Sequence, residues 1–160
     1  MIVDAFQNGL KQGPKAGKKS CFGIRVNDGP YVWETYDEVA ERVQNFGSGL
    51  LECGLKPSTD AMVGVYAKNS PEWVMSELAC AHYSLVLGAF AIYLCLFAVP
   101  LYDTLGPDAI KYIINQTKMS VVVVAEEKLH ALLTAAPQCP SLRYVIKIGS
   151  LTAGNLFSIS

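Results

Sequence analysis

Two carboxylates stand in apolar stretches of the sequence and could act as general bases. Glu72 and Asp103 are each flanked by apolar residues. An isolated carboxylate of this kind could act as a general base. The first turn of a helix explains Glu72 equally well, and the end of a strand explains Asp103. Since no nucleophile, base and orienting partner assemble around either one, the sequence predicts no catalytic residue.

Histidines and cysteines are the remaining candidates for proton transfer or metal binding. His82 lies in an apolar segment and His130 in an amphipathic one, and we interpret both as structural. The cysteines are odd in number and widely spread, and they form no C-x-x-C pair, which favours free thiols in a reducing compartment over disulfides or a zinc site. They are Cys21, Cys53, Cys80, Cys95 and Cys139. The sequence therefore predicts no metal ligands.

Two glycine-containing stretches bear a superficial likeness to phosphate-binding loops. Residues 13–20 have three residues between the glycines instead of four, and Lys19 stands where a Walker A loop has Ser or Thr. We interpret them as a solvated basic turn. Gly47 and Gly49 lack the third glycine of a dinucleotide fingerprint and indicate close helix packing instead. The glycosylation pattern at Asn115 falls in a predicted helix and is taken as coincidence.

Composition excludes several classes of protein. The chain is 51% hydrophobic and 17% charged, so it can bury a core, and a disordered or fibrous protein is excluded. Thirteen basic and fourteen acidic residues give a net charge of −1, which makes nucleic acid an unexpected partner. Residues 1–19 carry lysines without an apolar core after them, so we expect no secretory signal.

Helical and strand patterns alternate along the chain. Thr35 and Glu38 have capping-box spacing ahead of a helix that runs to Gly54, and 61–67 is a continuously apolar strand. Ser70 can cap a second helix over 71–83. Further strands are predicted at 98–102, 121–124 and 144–148. A third helix is predicted to open at 106–108, with Ile110, Ile113 and Ile114 on one face. A fourth helix is predicted at 126–136, with Leu129, Leu132 and Leu133 facing inward.

This alternation predicts an α/β fold. All-apolar strands joined through helices by short connections are typical of a doubly wound parallel sheet with helices on both faces, of which this chain would form part. Residues 151–160 are uncharged and aperiodic and are not expected to complete another unit.

The apolar run 85–99 does not fit this pattern. It is shorter than the roughly 20 residues that span a bilayer, yet it contains no charged residue. Two interpretations stay open, a buried or badly fitting segment and a segment that contacts a membrane.

Several stretches resemble one family closely. They are N-S-P-E-W-V at 69–74, V-P-L-Y-D-T-L-G-P-D-A-I at 99–110, 112–115 and 121–124. The earlier stretches 33–40 and 6–10 agree with them. Together they resemble the amino-terminal part of eukaryotic long-chain acyl-CoA synthetases, members of the adenylate-forming (AMP-binding) superfamily. The resemblance divides the chain into residues 1–149, a truncated amino-terminal part of the AMP-binding domain, and a divergent tail at 150–160.

The resemblance implies a reaction and a location. Such enzymes join a long-chain fatty acid, ATP and CoA into acyl-CoA, AMP and diphosphate through an acyl-adenylate, with Mg²⁺ stabilising phosphate charge. The family's ATP-binding loop and catalytic lysine lie downstream of the matched region. No catalytic, cofactor-binding or metal residue is therefore carried onto this sequence, and ATP, Mg²⁺ and CoA are not expected to bind this chain alone. The implied location is the cytosolic face of the endoplasmic reticulum, outer mitochondrial or peroxisomal membrane, otherwise the cytoplasm.

One departure from the family concerns residues 87–97, which look inserted between Val86 and Ala98. A spliced or mis-predicted transcript would explain both this insert and the tail. We expect the chain to be a fragment of a long-chain fatty acid CoA ligase that is inactive alone. Two alternatives stay open: a non-catalytic module that associates with the synthetase or a membrane through 85–99, and a small nucleotide-binding domain resembling flavodoxin.

Overall fold

The fold is taken from a computed structural model, which describes residues 2–12, 18–25, 28–58, 61–84, 86–90, 97–98, 107–149 and 156–158. Five helices occur in this part of the chain: α1 (Ile2–Lys11), α2 (Tyr36–Glu52), α3 (Pro71–His82), α4 (Pro107–Thr117) and α5 (Glu126–Ala135). The strands are β1 (Ser20–Arg25), β2 (Tyr31–Thr35), β3 (Met62–Tyr66), β4 (Val86–Phe90), β5 (Phe97–Ala98), β6 (Val121–Val124), β7 (Tyr144–Lys147) and β8 (Leu156–Ser158). A 3₁₀ turn, Ala136–Gln138, follows α5.

Six strands form the main sheet, in the order β5-β4-β3-β6-β7-β8. The central strands β4, β3, β6 and β7 are parallel to one another, which confirms the predicted parallel sheet. The edge strands β5 and β8 run antiparallel to their neighbours. The tail thus differs from the sequence-based expectation, because Leu156–Ser158 adds a strand to the sheet. An antiparallel edge needs only a returning loop and no crossover helix.

Helices cover both faces of this sheet, as predicted. On one face Val122 and Val124 of β6 pack against Ile114 of α4 and Leu132 of α5. On the other face Val63 of β3 packs in a cluster with residues of α2 and α3. Alternate residues of β3, β6 and β7 thus enter two separate cores. Both faces of β3 and β6 are covered, which is why these two strands are apolar throughout.

The predicted helix starts are confirmed by their hydrogen bonds. The Thr35 backbone N–H donates to Glu38 Oε2 at 2.7 Å, and the Glu38 N–H donates to Thr35 Oγ1 at 3.3 Å, which completes the capping box of α2. At α3, the Trp73 N–H donates to Ser70 Oγ at 3.3 Å. Pro71 occupies the first turn, where its missing N–H leaves no bond unmade.

Gly47 in α2 allows the close helix packing that the sequence predicted. A Cβ at this position would overlap the ring of Tyr83, which follows α3. The Tyr83 hydroxyl lies 3.2 Å from the Gln44 carbonyl oxygen, to which it donates, and 3.1 Å from Ser48 Oγ. Gly49 does not share this role, because a Cβ there would meet no atom within 4 Å.

Three features differ from the sequence-based expectations. Leu133 was predicted to face inward but is 39% exposed, whereas its neighbour Leu132 is fully buried. The helix α1 and the hairpin β1–β2 were not predicted. The hairpin lacks the alternation of a half-buried strand because Tyr31, Val32 and Trp33 are all exposed.

The apolar run is partly described. Its first residues form β4, which pairs with β3 in the register Met62↔Val86. Of the predicted strand 98–102 only Ala98 is described, in β5, and 99–102 lie outside the described residues, as do 91–96 of the proposed insert. None of the helices in the described ranges is both long and apolar enough to cross a bilayer.

Candidate functional site

The sheet changes winding direction between β3 and β6. From β3 the chain continues through α3 on one face, and from β6 it continues through α5 on the other. In open α/β sheets such a switch creates a crevice outside the carboxyl ends of the strands, where ligands commonly bind. The Ala125 N–H donates to the Tyr66 carbonyl at 3.0 Å and ties the two strand ends together.

Beside this crevice lies a cleft of about 200 Å³, on the α3 side of the sheet. Its walls come from α2, from the first turns of α3 and from the ends of β6 and β7. Apolar side chains and charged groups both line it, namely Arg42, Phe46, Glu72, Met75, Ser76, Val123, Ile146, Lys147, Ile148 and Gly149. The cleft therefore combines an apolar floor with a charged rim, as small-molecule and peptide sites often do.

Arg42 organises one side of the rim. Its guanidinium bonds to Glu34 through Nη1 and lies 3.4 Å from Glu72 Oε1 through Nη2. These contacts join β2, α2 and α3. All three side chains are partly exposed, so each pair contributes at most about 1 kcal/mol. The second carboxylate oxygen of Glu34 is buried and has no hydrogen-bond partner among the described residues.

Lys147 organises the opposite side of the rim. Its Nζ lies 2.6 Å from Glu126 Oε2, so the end of β7 is tied to the first turn of α5. Nearby, Lys128 Nζ stands 5.7 Å from the ring centroid of Tyr66, a cation–π distance at the end of β3. Both rim cations of the cleft are thus already paired with carboxylates.

Glu72, a candidate general base, has a structural explanation in this arrangement. It lies in the first turn of α3 and pairs with Arg42. The hydroxyl of buried Ser76 donates a hydrogen bond to the backbone carbonyl of Glu72 at 2.8 Å. The helix start and the ion pair with Arg42 thus account for the position of Glu72. Asp103, the other candidate, lies outside the described residues.

The histidines lie apart from this cleft. His82 is exposed at the end of α3, and its ring meets Tyr83 edge-on at 5.2 Å between centroids. His130 is exposed on α5, and its backbone carbonyl accepts a hydrogen bond from the Thr134 hydroxyl. Within the described ranges no group of three or more His, Cys, Asp or Glu side chains could hold a metal ion.

The four cysteines that the structure describes are free thiols. Burial raises the pKa of Cys80 to about 12, and Glu77 adds to the shift. Burial also raises the pKa of Cys21, Cys53 and Cys139. A raised pKa depletes the nucleophilic thiolate, so these four cysteines are poor nucleophiles near neutral pH. Cys95 lies outside the described residues.

The glycine-rich stretch is described only in part. Residues 13–17 lie outside the described residues. Of the remainder, Lys18 Nζ is 3.3 Å from Asp37 Oδ2, and Lys19 Nζ donates to the Gln12 carbonyl at 3.3 Å. Asn115 lies in α4, as predicted, and its amide donates to the Gln138 carbonyl at 2.9 Å.

Sequence patterns did not single out Arg42 or Lys147. Arg42 meets Glu72 across 30 positions of sequence, and only the packing of α2 against α3 brings them together. The one available signal was the topology: parallel strands followed by charged residues predict a polar rim at their carboxyl ends.

Comparisons with known proteins identify the family. The family model for AMP-binding enzymes matches residues 12–157. Human long-chain-fatty-acid–CoA ligase 6 is 42% identical over 148 residues, which are 91% of this chain and 19% of that protein. Rat long-chain-fatty-acid–CoA ligase 5 is 45% identical over 125 residues, 76% of this chain and 16% of that protein. The chain thus spans about a fifth of the length of these curated relatives.

Solved structures agree on the fold. The anthranilate CoA ligase AuaEII, crystallised with anthranoyl-AMP, superimposes with a TM-score of 0.74 at 20% identity, covering 97% of this chain and 26% of that one. A long-chain-fatty-acid CoA ligase described as putative, from Rhodopseudomonas palustris, superimposes with a TM-score of 0.72 at 20% identity. The match covers 95% of this chain and 33% of that one. The chain belongs to the AMP-binding enzyme family, and within that family it is similar to the long-chain-fatty-acid–CoA ligases.

Proposed function

We propose that this chain supplies part of the structural frame of a ligase that activates long-chain fatty acids. The observation that carries the proposal is the 42% identity to human long-chain-fatty-acid–CoA ligase 6 over 148 residues. In the proposed reaction the fatty acid attacks ATP, releases diphosphate and forms an acyl-adenylate, whose AMP the CoA thiol then displaces. Mg²⁺ would neutralise charge on the phosphates.

The chain's own part in this reaction is to hold elements in place. Adenylation needs oriented hydrogen-bond donors around the phosphates and a metal-binding site. In the described ranges the charged groups at the cleft are instead paired with one another, Arg42 with Glu34 and Glu72, and Lys147 with Glu126. We propose that the groups that contact ATP and CoA come from other parts of the whole protein.

A hybrid enzyme tests this proposal. In human long-chain-fatty-acid–CoA ligase 6, the segment that matches this chain is replaced by the chain, and acyl-CoA formation from oleate, ATP and CoA is measured. We expect the hybrid to form acyl-CoA and the isolated chain to form none. Acyl-CoA formation by the isolated chain would contradict the role as frame, and a folded but inactive hybrid would contradict the proposed reaction.

We also propose that the whole protein works at the cytosolic face of a membrane of the endoplasmic reticulum, mitochondria or peroxisomes. The supporting argument is physical: each buried CH₂ of an acyl chain contributes about 0.8 kcal/mol to membrane partitioning, so the substrate concentrates there. The run 85–99 would add a membrane contact. Liposome co-sedimentation of the chain should weaken in a Leu94→Lys variant, and unchanged sedimentation would refute that contact.

A further inference from the structure

The hairpin β1–β2 contacts the rest of the chain through one of its two faces. In the described part of the chain it forms a two-stranded sheet of its own, beside the six-stranded sheet. Phe22 on the inner face packs against a cluster of α2 and α3 residues that contains Val43 and Leu78. On the outer face Trp33 lies over Gly23 and is 56% exposed. A two-stranded hairpin alone is only marginally stable in water, so the contacts of the inner face hold it in place.

Glu34 lies on this inner face. It stands opposite Phe22 in the register of the hairpin, and opposite residues of an antiparallel pair point to the same side. One of its carboxylate oxygens accepts a hydrogen bond from Arg42 Nη1. The other is buried and has no donor among the described residues, so it loses its hydration without compensation. Glu34 therefore holds the hairpin closed through one oxygen and opposes closure through the other.

Arg42 connects Glu34 to the start of α3. Its Nη2 lies 3.4 Å from Glu72 Oε1, in the first turn of that helix. The planar guanidinium thus offers a separate nitrogen to each carboxylate and joins the hairpin to α3 through α2. All three side chains are partly exposed, so dissolved salt can screen their attraction. Closure of the hairpin therefore depends on ionic strength.

We propose that the hairpin β1–β2 is a flap that opens from α2 and α3, and that Arg42 is the ionic latch that holds it closed. Opening returns Glu34 to water and uncovers the apolar side chains that Phe22 covers. An apolar pair at positions 34 and 42 would instead lock the flap, because no charge and no unbonded oxygen would then be buried. The flap goes beyond the proposed function, which needs no motion of the hairpin.

Hydrogen exchange of the full chain, followed by mass spectrometry, measures the opening. A released hairpin loses its pairing bonds because it is marginally stable alone, so each opening lets the backbone amides of β1 and β2 exchange. The amides of the central strand β6 report global unfolding in the same sample. The measured quantity is the ratio of the hairpin exchange rate to the β6 exchange rate.

Removal of the latch should free the hairpin without unfolding the body. Arg42→Leu should raise the hairpin exchange rate by about tenfold or more and leave the β6 rate unchanged. Arg42→Lys should restore part of the protection, because an ammonium keeps the charge but lacks the planar fork. Arg143→Leu, at an exposed position before β7, is the matched control and should change neither rate. Unchanged hairpin exchange in Arg42→Leu would overturn the proposal, and so would an equal rise in β6.

The double variant Glu34→Leu with Arg42→Leu distinguishes a latch from a simple stabilising pair. Loss of a simple stabilising pair would leave the hairpin exchanging as fast in the double variant as in Arg42→Leu. Loss of the latch together with the buried carboxylate should return the hairpin exchange rate to that of the unmodified chain or below. A double variant that exchanges as fast as Arg42→Leu would show that Glu34 does not oppose closure, and the proposal would be wrong.

Salt tests the latch in the unmodified chain, without any substitution. Between about 0.01 M and about 1 M NaCl the screening length falls from about 30 Å to about 3 Å. Hairpin exchange relative to β6 should rise severalfold over this range in the unmodified chain and stay constant in the double variant. Equal salt responses in the two chains would contradict an ionic latch.

The flap and the proposed reaction can fail separately. Hydrogen exchange needs no substrate, so an inactive ligase 6 hybrid would refute the reaction and leave the flap untouched. A hairpin that stays closed in Arg42→Leu would refute the flap and leave the reaction untouched.

Discussion

At the scale of single residues, Gly47 and Gly49 differ although both lie in α2. A Cβ at Gly47 would overlap the Tyr83 ring, whose hydroxyl is held between Gln44 and Ser48, whereas a Cβ at Gly49 meets open space. Gly47→Ala should lower the free energy of unfolding by about 1–3 kcal/mol, as overpacking does. Gly49→Ala should raise it by up to about 1 kcal/mol, because Ala favours a helix. Urea denaturation measures both, and changes of the same sign would contradict this account.

Glu77 on α3 provides a test of pH dependence. Partial burial raises the pKa of its carboxyl above the ordinary value of 4.5. The folded state then binds the proton more tightly than the unfolded state, so stability falls as pH rises through the folded pKa. Glu77→Gln should therefore stabilise the fold at neutral pH, and the gain should disappear below the unfolded pKa.

Urea denaturation at about pH 7 and about pH 3 measures this gain, given the carboxyl pKa values of unfolded chains. Glu41→Gln, at an exposed position of α2, is the matched control and should change little at either pH. A gain for Glu77→Gln that persists at low pH would show that burial of charge is not its cause.

Residues that act on close neighbours in sequence were predictable, and those that act across the fold were not. The capping pair Thr35 and Glu38 is readable because its members are three positions apart. The pairing of Lys147 with Glu126 depends on the order of β6, α5 and β7 in space. The charged rim of the cleft therefore emerged only from the structure.

At the scale of elements, α5 shows how an adjacent pair of leucines can differ in role. Leu132 is fully buried, whereas Leu133 is 39% exposed. Leu132→Ala should lower the free energy of unfolding by about 2–5 kcal/mol through lost burial and a cavity. Leu133→Ala, the matched control, should cost less than about 1 kcal/mol. Chemical denaturation measures both, and equal losses would show that α5 is rotated from the position described.

Elements buried on both sides were predictable, and elements at the periphery were not. The runs that became β3 and β6 are continuously apolar because both of their faces are covered. The helix α1 has no buried residue, and the hairpin β1–β2 exposes Tyr31 and Trp33, so neither carries a strong burial pattern. β8 contains three residues at the sheet edge, too few for a periodic signal.

At the scale of the whole molecule, the fold and the family agree. The central parallel strands, the helices on both faces and the match to AMP-binding enzymes over residues 12–157 describe one architecture. The sequence predicted this architecture from its alternation of strands and helices, and the resemblance predicted the ligase family. The half-burial of Tyr144 and Ile146 on β7 could not be predicted, because it depends on which strand each helix covers.

The acyl-CoA forming rate of the ligase 6 hybrid tests the central claim most directly. A second hybrid that carries the matching segment of rat ligase 5, which is 45% identical to this chain over 125 residues, is the control. If this chain is an equivalent frame, the two hybrids should convert oleate at rates within about a hundredfold, or about 2.7 kcal/mol in barrier height. A control hybrid that is active beside a cooperatively folded, inactive hybrid of this chain would contradict the claim.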